Sequence, residues 1–192
     1  MSETPDAPSP RQYLSFSAEI SPITTESLLH VCAQVIEKGI PEVYLLLSTP
    51  GGSVMNGMNI YNVLRGMPFN LITHNVGNVD SIGNVVFLAG NERYASPHTT
   101  FTYHGVYYEF AQKRFEEKDS RELLQAIQAD HARMAAIIAQ RASFTDDAEI
   151  RKLFLEAETR DTAFAQAKRI IHAVRDVEIP AGAPVHQFVF QR

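Results

Sequence analysis

The run Val43-Tyr44-Leu45-Leu46-Leu47 constrains this chain more than any other stretch. Five apolar residues without a polar alternate describe a strand covered on both faces, the condition of a central strand in a parallel sheet. Pro50-Gly51-Gly52 breaks the run, and Val54 to Leu64 continues with helical character. The same punctuation recurs along the chain. Tyr13 to Ile20 alternates apolar and polar residues and reads as a strand. Thr24 or Thr25 caps a helix that Gly39 ends, with Leu28, Val31, Val35 and Ile36 on its buried side. Phe69 to Val76 is another strand, turn and helix signals run from Asp80 to Leu88, and Thr99 to Tyr103 is a strand ending at His104. A long helix fits Phe115 to Ala142, where Leu123, Ile127, Met134 and Ile138 keep helical spacing. Asp146 to Leu155 and Thr162 to Ile171 read as helices, and Ala173 to Ile179 as a last strand. Alternating strands and helices predict an α/β fold with parallel strands and right-handed crossovers.

A chain of 192 residues with 45% hydrophobic and 20% charged residues fits one globular domain. The expected boundaries are a disordered Pro-rich lead-in over 1–12, a folded domain over 13–179 and a C-terminal tail over 180–192. The net charge is −5, and the scattered cations form no stripe that would track phosphates, which argues against nucleic acid. No apolar run approaches the roughly 20 residues that span a bilayer, and Met1 to Pro10 lacks the apolar block of a secretory signal, so no membrane partner is expected. A single cysteine, Cys32, allows no internal disulfide and suits the cytoplasm; its helical neighbours Leu28, Leu29, Val31 and Val35 make it a buried core thiol. No His, Cys, Asp or Glu cluster has metal-ligand spacing, and neither a metal nor an organic cofactor is implied.

Three segments carry chemistry. A strand that stops at Gly51-Gly52 and restarts as a helix leaves unpaired backbone N–H groups that favour an anion, and glycine lets a substrate approach them closely. Alone, Gly-Gly is an ordinary tight turn. Ser81 follows a strand at a turn into a helix, with Gly77 and Gly83 flanking it, so its hydroxyl can stand at the sheet's carboxyl edge beside the N–H of Ile82. The Gly-x-Ser-x-Gly spacing of a nucleophile elbow is absent. His104 ends a strand and has the proton affinity to activate a serine near neutral pH, which His74, His98, His131, His172 and His186 do not match in setting. Each feature has a structural reading by itself: turn, helix cap, strand-end histidine. In this order the three make a serine hydrolase the leading function.

These segments resemble the proteolytic subunits of the Clp protease (ClpP), self-compartmentalising serine peptidases of the crotonase-like superfamily. The resemblance runs from about Tyr13 to Val177. It is strongest in Tyr44 to Val54, Gly57 to Tyr61, Gly77 to Gly83 and Leu88 to Tyr94, and the 29 residues between Gly52 and Ser81 need no gap. It implies a ClpP/crotonase-like fold of repeated β-β-α and β-α units with a long handle helix from about Phe115, and makes 13–179 a peptidase domain. It further implies Ser81 as nucleophile, His104 as general base, and the backbone N–H groups of Gly52 and Ile82 as oxyanion hole. The implied substrates are peptides or unfolded proteins, cleaved through an acyl-enzyme inside a homo-oligomer of seven-fold rings.

The departures are as informative. The family's third catalytic residue, an aspartate, falls on Leu153, so the third acid is unknown; Glu156, Glu158 and Asp161 are the nearest substitutes and Asp147 a more distant one. The stretch before Tyr13 carries no match to the axial loop that contacts the family's AAA+ unfoldase, which leaves that partner open. Gly105-Val106-Tyr107-Tyr108-Glu109-Phe110 lacks the glycine-rich strand that lines the family's substrate groove, and Tyr107, Tyr108 and Phe110 are bulkier. Two other functions follow: a catalytically weak or silent ring subunit, motivated by Leu153, and a crotonase-like acyl-CoA enzyme, in which the same oxyanion hole would stabilise an enolate.

Overall fold

A computed structural model describes residues 11–107 and 116–190. Strands β1 (Gln12–Ser17), β2 (Glu42–Thr49) and β3 (Asn70–Asp80) lie side by side in parallel, with β2 between the other two. The apolar run Val43 to Leu47 is buried throughout. One face packs on α1 (Pro22–Glu37), α2 (Val54–Gly66), α3 (Gly83–Phe87), the end of α4 (Glu117–Arg141) and α5 (Asp147–Leu155). The other face is a smaller layer of Tyr13, Tyr44, Leu46, Ile72 and Tyr94. It is covered by Ala173, Val177 and Ala183, which lie in no helix.

The far edge of β3 is shared. Ile72 to Asn75 pair with β4 (Glu92–Ala95), and Asn78 to Asp80 pair with β5 (Thr100–Thr102). Asn75 stands at the fork, its Nδ2 donating to the Thr100 carbonyl (2.8 Å). β5 also pairs antiparallel with β6 (Thr159–Arg160), whereas β4 pairs in parallel with β7 (Ala173–Val174) and β1 in parallel with β8 (Val185–Gln187). α6 (Thr162–Ala167) lies between β6 and β7.

Several boundaries differ from those read in the sequence. The lead-in ends earlier than residue 12: Gln12 is already in β1, and Arg11 pairs with Glu42. Residues 1–10, where the lead-in was expected to be disordered, lie outside the described residues, as do Tyr108, Phe110 and Phe115. α1 is capped by Ser21, not by Thr24 or Thr25. Pro22 occupies the first turn, and Ser21 and Thr24 form a capping box. β3 runs to Asp80 because its second half finds β5 as partner. The helix expected over 162–171 stops at Ala167, where Arg93 holds the next carbonyls: its guanidinium donates to those of Arg169 and Ile170 as well as Gly90 and Arg141. The expected tail is not free, since β8 covers the edge of β1. Cys32 is fully buried, and desolvation pushes its thiol up to about 12.

Candidate active site

β2, β3 and β5 run parallel, so the residues following their carboxyl ends emerge on one side of the sheet, where α/β folds bind ligands. Those residues are Pro50 to Gly52, Ser81 and His104. Ser81, His104 and Gly52 line one cleft of about 410 Å³, together with Glu19, Pro50, Val54, Gly105, Val106 and Tyr107.

Ser81 is built into a tight turn. Its φ is 56°, in the left-handed region that residues with side chains rarely occupy. The surroundings hold it there. Its N–H donates to the Thr102 carbonyl (2.8 Å), and Asn84 Nδ2 donates to the carbonyls of both Ser81 (3.1 Å) and Thr102 (2.9 Å). Asn84 thus ties the serine turn to the strand that delivers His104. Gly51, at φ 90°, approaches so closely that a Cβ there would lie 2.6 Å from Ser81 Cβ and 2.9 Å from the Asp80 carbonyl oxygen. Both of these backbone requirements exclude a side chain at residue 51.

Gly52 is pinned by Ile20, three residues beyond β1: Ile20 N–H donates to the Gly51 carbonyl (2.7 Å) and Ser53 N–H to the Ile20 carbonyl (2.8 Å). Among the described residues, the N–H groups of Gly52 and Ile82 have no hydrogen-bond acceptor. The Ile82 side chain is buried under Gly57 of α2 and does not line the cleft.

His104 Nδ1 lies 2.9 Å from the Gly105 carbonyl oxygen. A carbonyl only accepts, so Nδ1 carries a proton, and in the neutral tautomer with this contact Nε2 is the atom that holds the lone pair. No direct hydrogen bond joins Ser81 and His104 among the described residues, and in unliganded sites such bonds are commonly long. The segment after His104 is anchored from α4, where His131 Nε2 accepts from Val106 N–H (2.8 Å) and the ring stacks on Phe154 with centroids 5.5 Å apart.

None of the described carboxylates reaches His104. Leu153 lies in the core at 3% exposure, beside Ile150 and Phe154. Glu156 pairs with Lys152 at 3.8 Å, Glu158 pairs with Arg160, and Asp161 caps α6 by accepting from Phe164 N–H (2.9 Å). The Glu158 backbone does run beside the histidine strand, its carbonyl accepting from Tyr103 N–H (2.8 Å). The side chain of Asp147 lies outside the described residues. Sequence reasoning missed Asn84 and Glu19 as parts of this region. The tie from Asn84 to the Thr102 carbonyl leaves no local signal, because it spans 18 residues; Glu19 fell inside the strand read over Tyr13 to Ile20 and lies just beyond the observed β1. Among the described residues no cluster of His, Cys, Asp and Glu could hold a metal ion, and no helix is long and apolar enough to cross a membrane.

The Clp protease family model matches residues 17–168. The ATP-dependent Clp protease proteolytic subunit 2 of Cutibacterium acnes is 30% identical over 125 residues, which is 58% of this chain and 59% of that protein. The subunit of the same name from Thermobifida fusca is 38% identical over 65 residues, 33% of this chain and 32% of its own. The matches thus span less than two thirds of these relatives' own lengths, 59% and 32%. In structure, a ClpP1 mutant from Listeria monocytogenes superposes with a TM-score of 0.76 over 86% of this chain and 91% of that one, at 16% identity, which establishes the fold. With most of the chain inside the family match and the ClpP-type fold beneath it, this protein belongs to the Clp protease family.

Proposed function

We propose that the chain is a serine peptidase in which Ser81 is the nucleophile and His104 its general base. The observation that carries this reading is the single cleft that gathers Ser81, His104 and Gly52 from the ends of three strands. Ser81 Oγ attacks a peptide carbonyl while His104 Nε2 takes the hydroxyl proton. The carbonyl oxygen becomes an oxyanion, received by the N–H groups of Gly52 and Ile82, which have no acceptor among the described residues. His104 then gives the proton to the leaving amine, and an acyl-enzyme forms. Water, deprotonated by His104, releases the acid product and restores Ser81.

With no described carboxylate on His104, the Gly105 carbonyl sets the expected rate. The Gly105 carbonyl holds the histidine tautomer that the reaction needs. It carries no full charge to stabilise the imidazolium, so turnover falls by orders of magnitude below that of a complete triad. The working substrates are peptides or unfolded proteins, inside a cytoplasmic homo-oligomer of seven-fold rings. An AAA+ unfoldase is no part of this proposal.

A second reading, a silent ring subunit, is favoured by one observation: Leu153 stands in the apolar core with no described carboxylate on His104. Intact-mass spectrometry after a fluorophosphonate probe separates the two. An adduct on the native chain and none on Ser81→Ala is the expected result. No adduct on well-assembled native protein overturns the peptidase reading and leaves the silent subunit.

A further inference from the structure

We propose that the cleft selects a cationic side chain, arginine or lysine, close to the scissile bond, and that Glu19 is the specificity-determining residue. This rests on the peptidase reading above. Among the described residues that line the cleft, Glu19 is the only carboxylate and no Lys or Arg is present; the walls are Pro50, Val54, Gly105, Val106 and Tyr107. Its side chain is exposed and makes no ion pair with any described residue. Other exposed carboxylates, such as Glu26 and Glu37, also lack an ion pair with any described residue, so what sets Glu19 apart is its place in the cleft.

The backbone under Glu19 is fixed. Its carbonyl accepts from Thr24 Oγ1 (2.7 Å) in the first turn of α1, and the next residue, Ile20, bridges to Gly52. The side chain lies close over the glycine, since a Cβ at Gly52 would be 3.0 Å from Glu19 Cγ. A carboxylate so near an oxyanion donor opposes the negative charge that builds there in the transition state. A bound guanidinium or ammonium removes that opposition and gains an ion pair. On the same cleft, Tyr107 is 69% exposed with its ring centroid 6.0 Å from that of His104, and an exposed aromatic ring attracts a cation. The carboxylate and the exposed ring together suit a long cationic side chain, whereas an apolar side chain would leave the carboxylate unmatched.

The test uses internally quenched peptides in which one arginine, or its neutral isostere citrulline, occupies in turn each position near the scissile bond. At the best position, kcat/KM should favour arginine about fivefold, as a part-solvated ion pair does, and the ratio should fall to about one in Glu19→Gln. An unchanged ratio in Glu19→Gln, or a native preference for citrulline, overturns the proposal. Fluorescence anisotropy with Ser81→Ala protein measures the same arginine-to-citrulline ratio as binding alone. If native protein turns over neither peptide, yet Ser81→Ala binds arginine selectively and Ser81→Ala with Glu19→Gln does not, the peptidase reading fails and the Glu19 site stands. If Ser81-dependent turnover occurs and neither assay shows an arginine preference, the Glu19 site fails and the peptidase reading stands.

Discussion

Ser81 occupies a backbone conformation that costs of the order of 1–3 kcal/mol for a residue with a side chain, and it keeps that conformation only because Thr102, Asn84 and Gly51 surround it. Strain of this kind, at a serine in a cleft, is part of what supports its assignment as nucleophile. A second residue stores a different liability. His74 is fully buried, with Nδ1 accepting from Tyr44 Oη (2.7 Å) and Nε2 facing the Arg175 carbonyl (3.1 Å) and Ser96 Oγ (3.2 Å). Burial is the main cause that brings its imidazole down to about 4; the Arg175 charge acts in the same direction, while the Arg175 carbonyl and Asp176 oppose it. The unfolded chain takes up this proton near pH 6.5 and the folded one only near 4. Stability is therefore fully present above about pH 6.5 and is lost as pH falls from there towards 4. Denaturant titrations at pH 7.5 and 4.5 should show a loss of about 2 kcal/mol attributable to this group, and a shallower pH dependence in His74→Leu.

At the scale of elements, the site depends on how separate pieces are fastened. Arg93 holds carbonyls that follow α3 and α6 and the last carbonyl of α4, so three helix ends converge on one buried cation. Burial, with the charges of Arg141 and Arg65, lowers its guanidinium to about 10, and it stays protonated at working pH. Among the described residues, the backbone after His104 is tied to α4 by the hydrogen bond from Val106 N–H to His131. Burial foremost, then the Arg151 charge, lowers the His131 imidazole, with Asp130 opposing, so the ring is a neutral acceptor near pH 7. His131→Phe keeps a ring against Phe154 but removes the acceptor; His131→Gln keeps an acceptor. Hydrogen exchange of the Val106 amide should accelerate about tenfold in the first and remain near native in the second, the loss of one net hydrogen bond. Equal protection in both variants would show that α4 does not hold this segment.

For the whole molecule, the telling feature is α4. Its 25 residues make a rod roughly 38 Å long, yet only Asp130, Met134, Ala135 and Ile138 are buried, all in its second half. Leu124 on the first half is 55% exposed, and Ile23 and Met55, at the starts of α1 and α2, are each 72% exposed. An amphipathic rod that leaves its body unburied needs other copies to cover it, as the ring assembly we propose would do. Sedimentation at micromolar concentration should show a species of at least seven chains of 21.4 kDa, about 150 kDa, and Leu124→Asp should shift mass towards smaller species. A monomer of native protein at that concentration would exclude the ring.

Local chemistry by itself determined the strand-breaker-helix rhythm and the central place of β2, because an unbroken apolar run of five residues has few other uses in a globular domain. It also singled out Ser81, His104 and Gly52, since parallel strands deliver their carboxyl ends to one edge. Element ends were less legible: β3 extends to Asp80 and α6 stops at Ala167 through partners that lie elsewhere in the chain. Only the tertiary structure decided that residues 185–187 return to β1, that β6 runs against β5, that Gly105 faces the histidine Nδ1, and that Glu19 shares the cleft. Contacts between distant or irregular segments leave no periodicity in the sequence. They are selected by shape, hydrogen bonding and charge once the sheet has brought the pieces together.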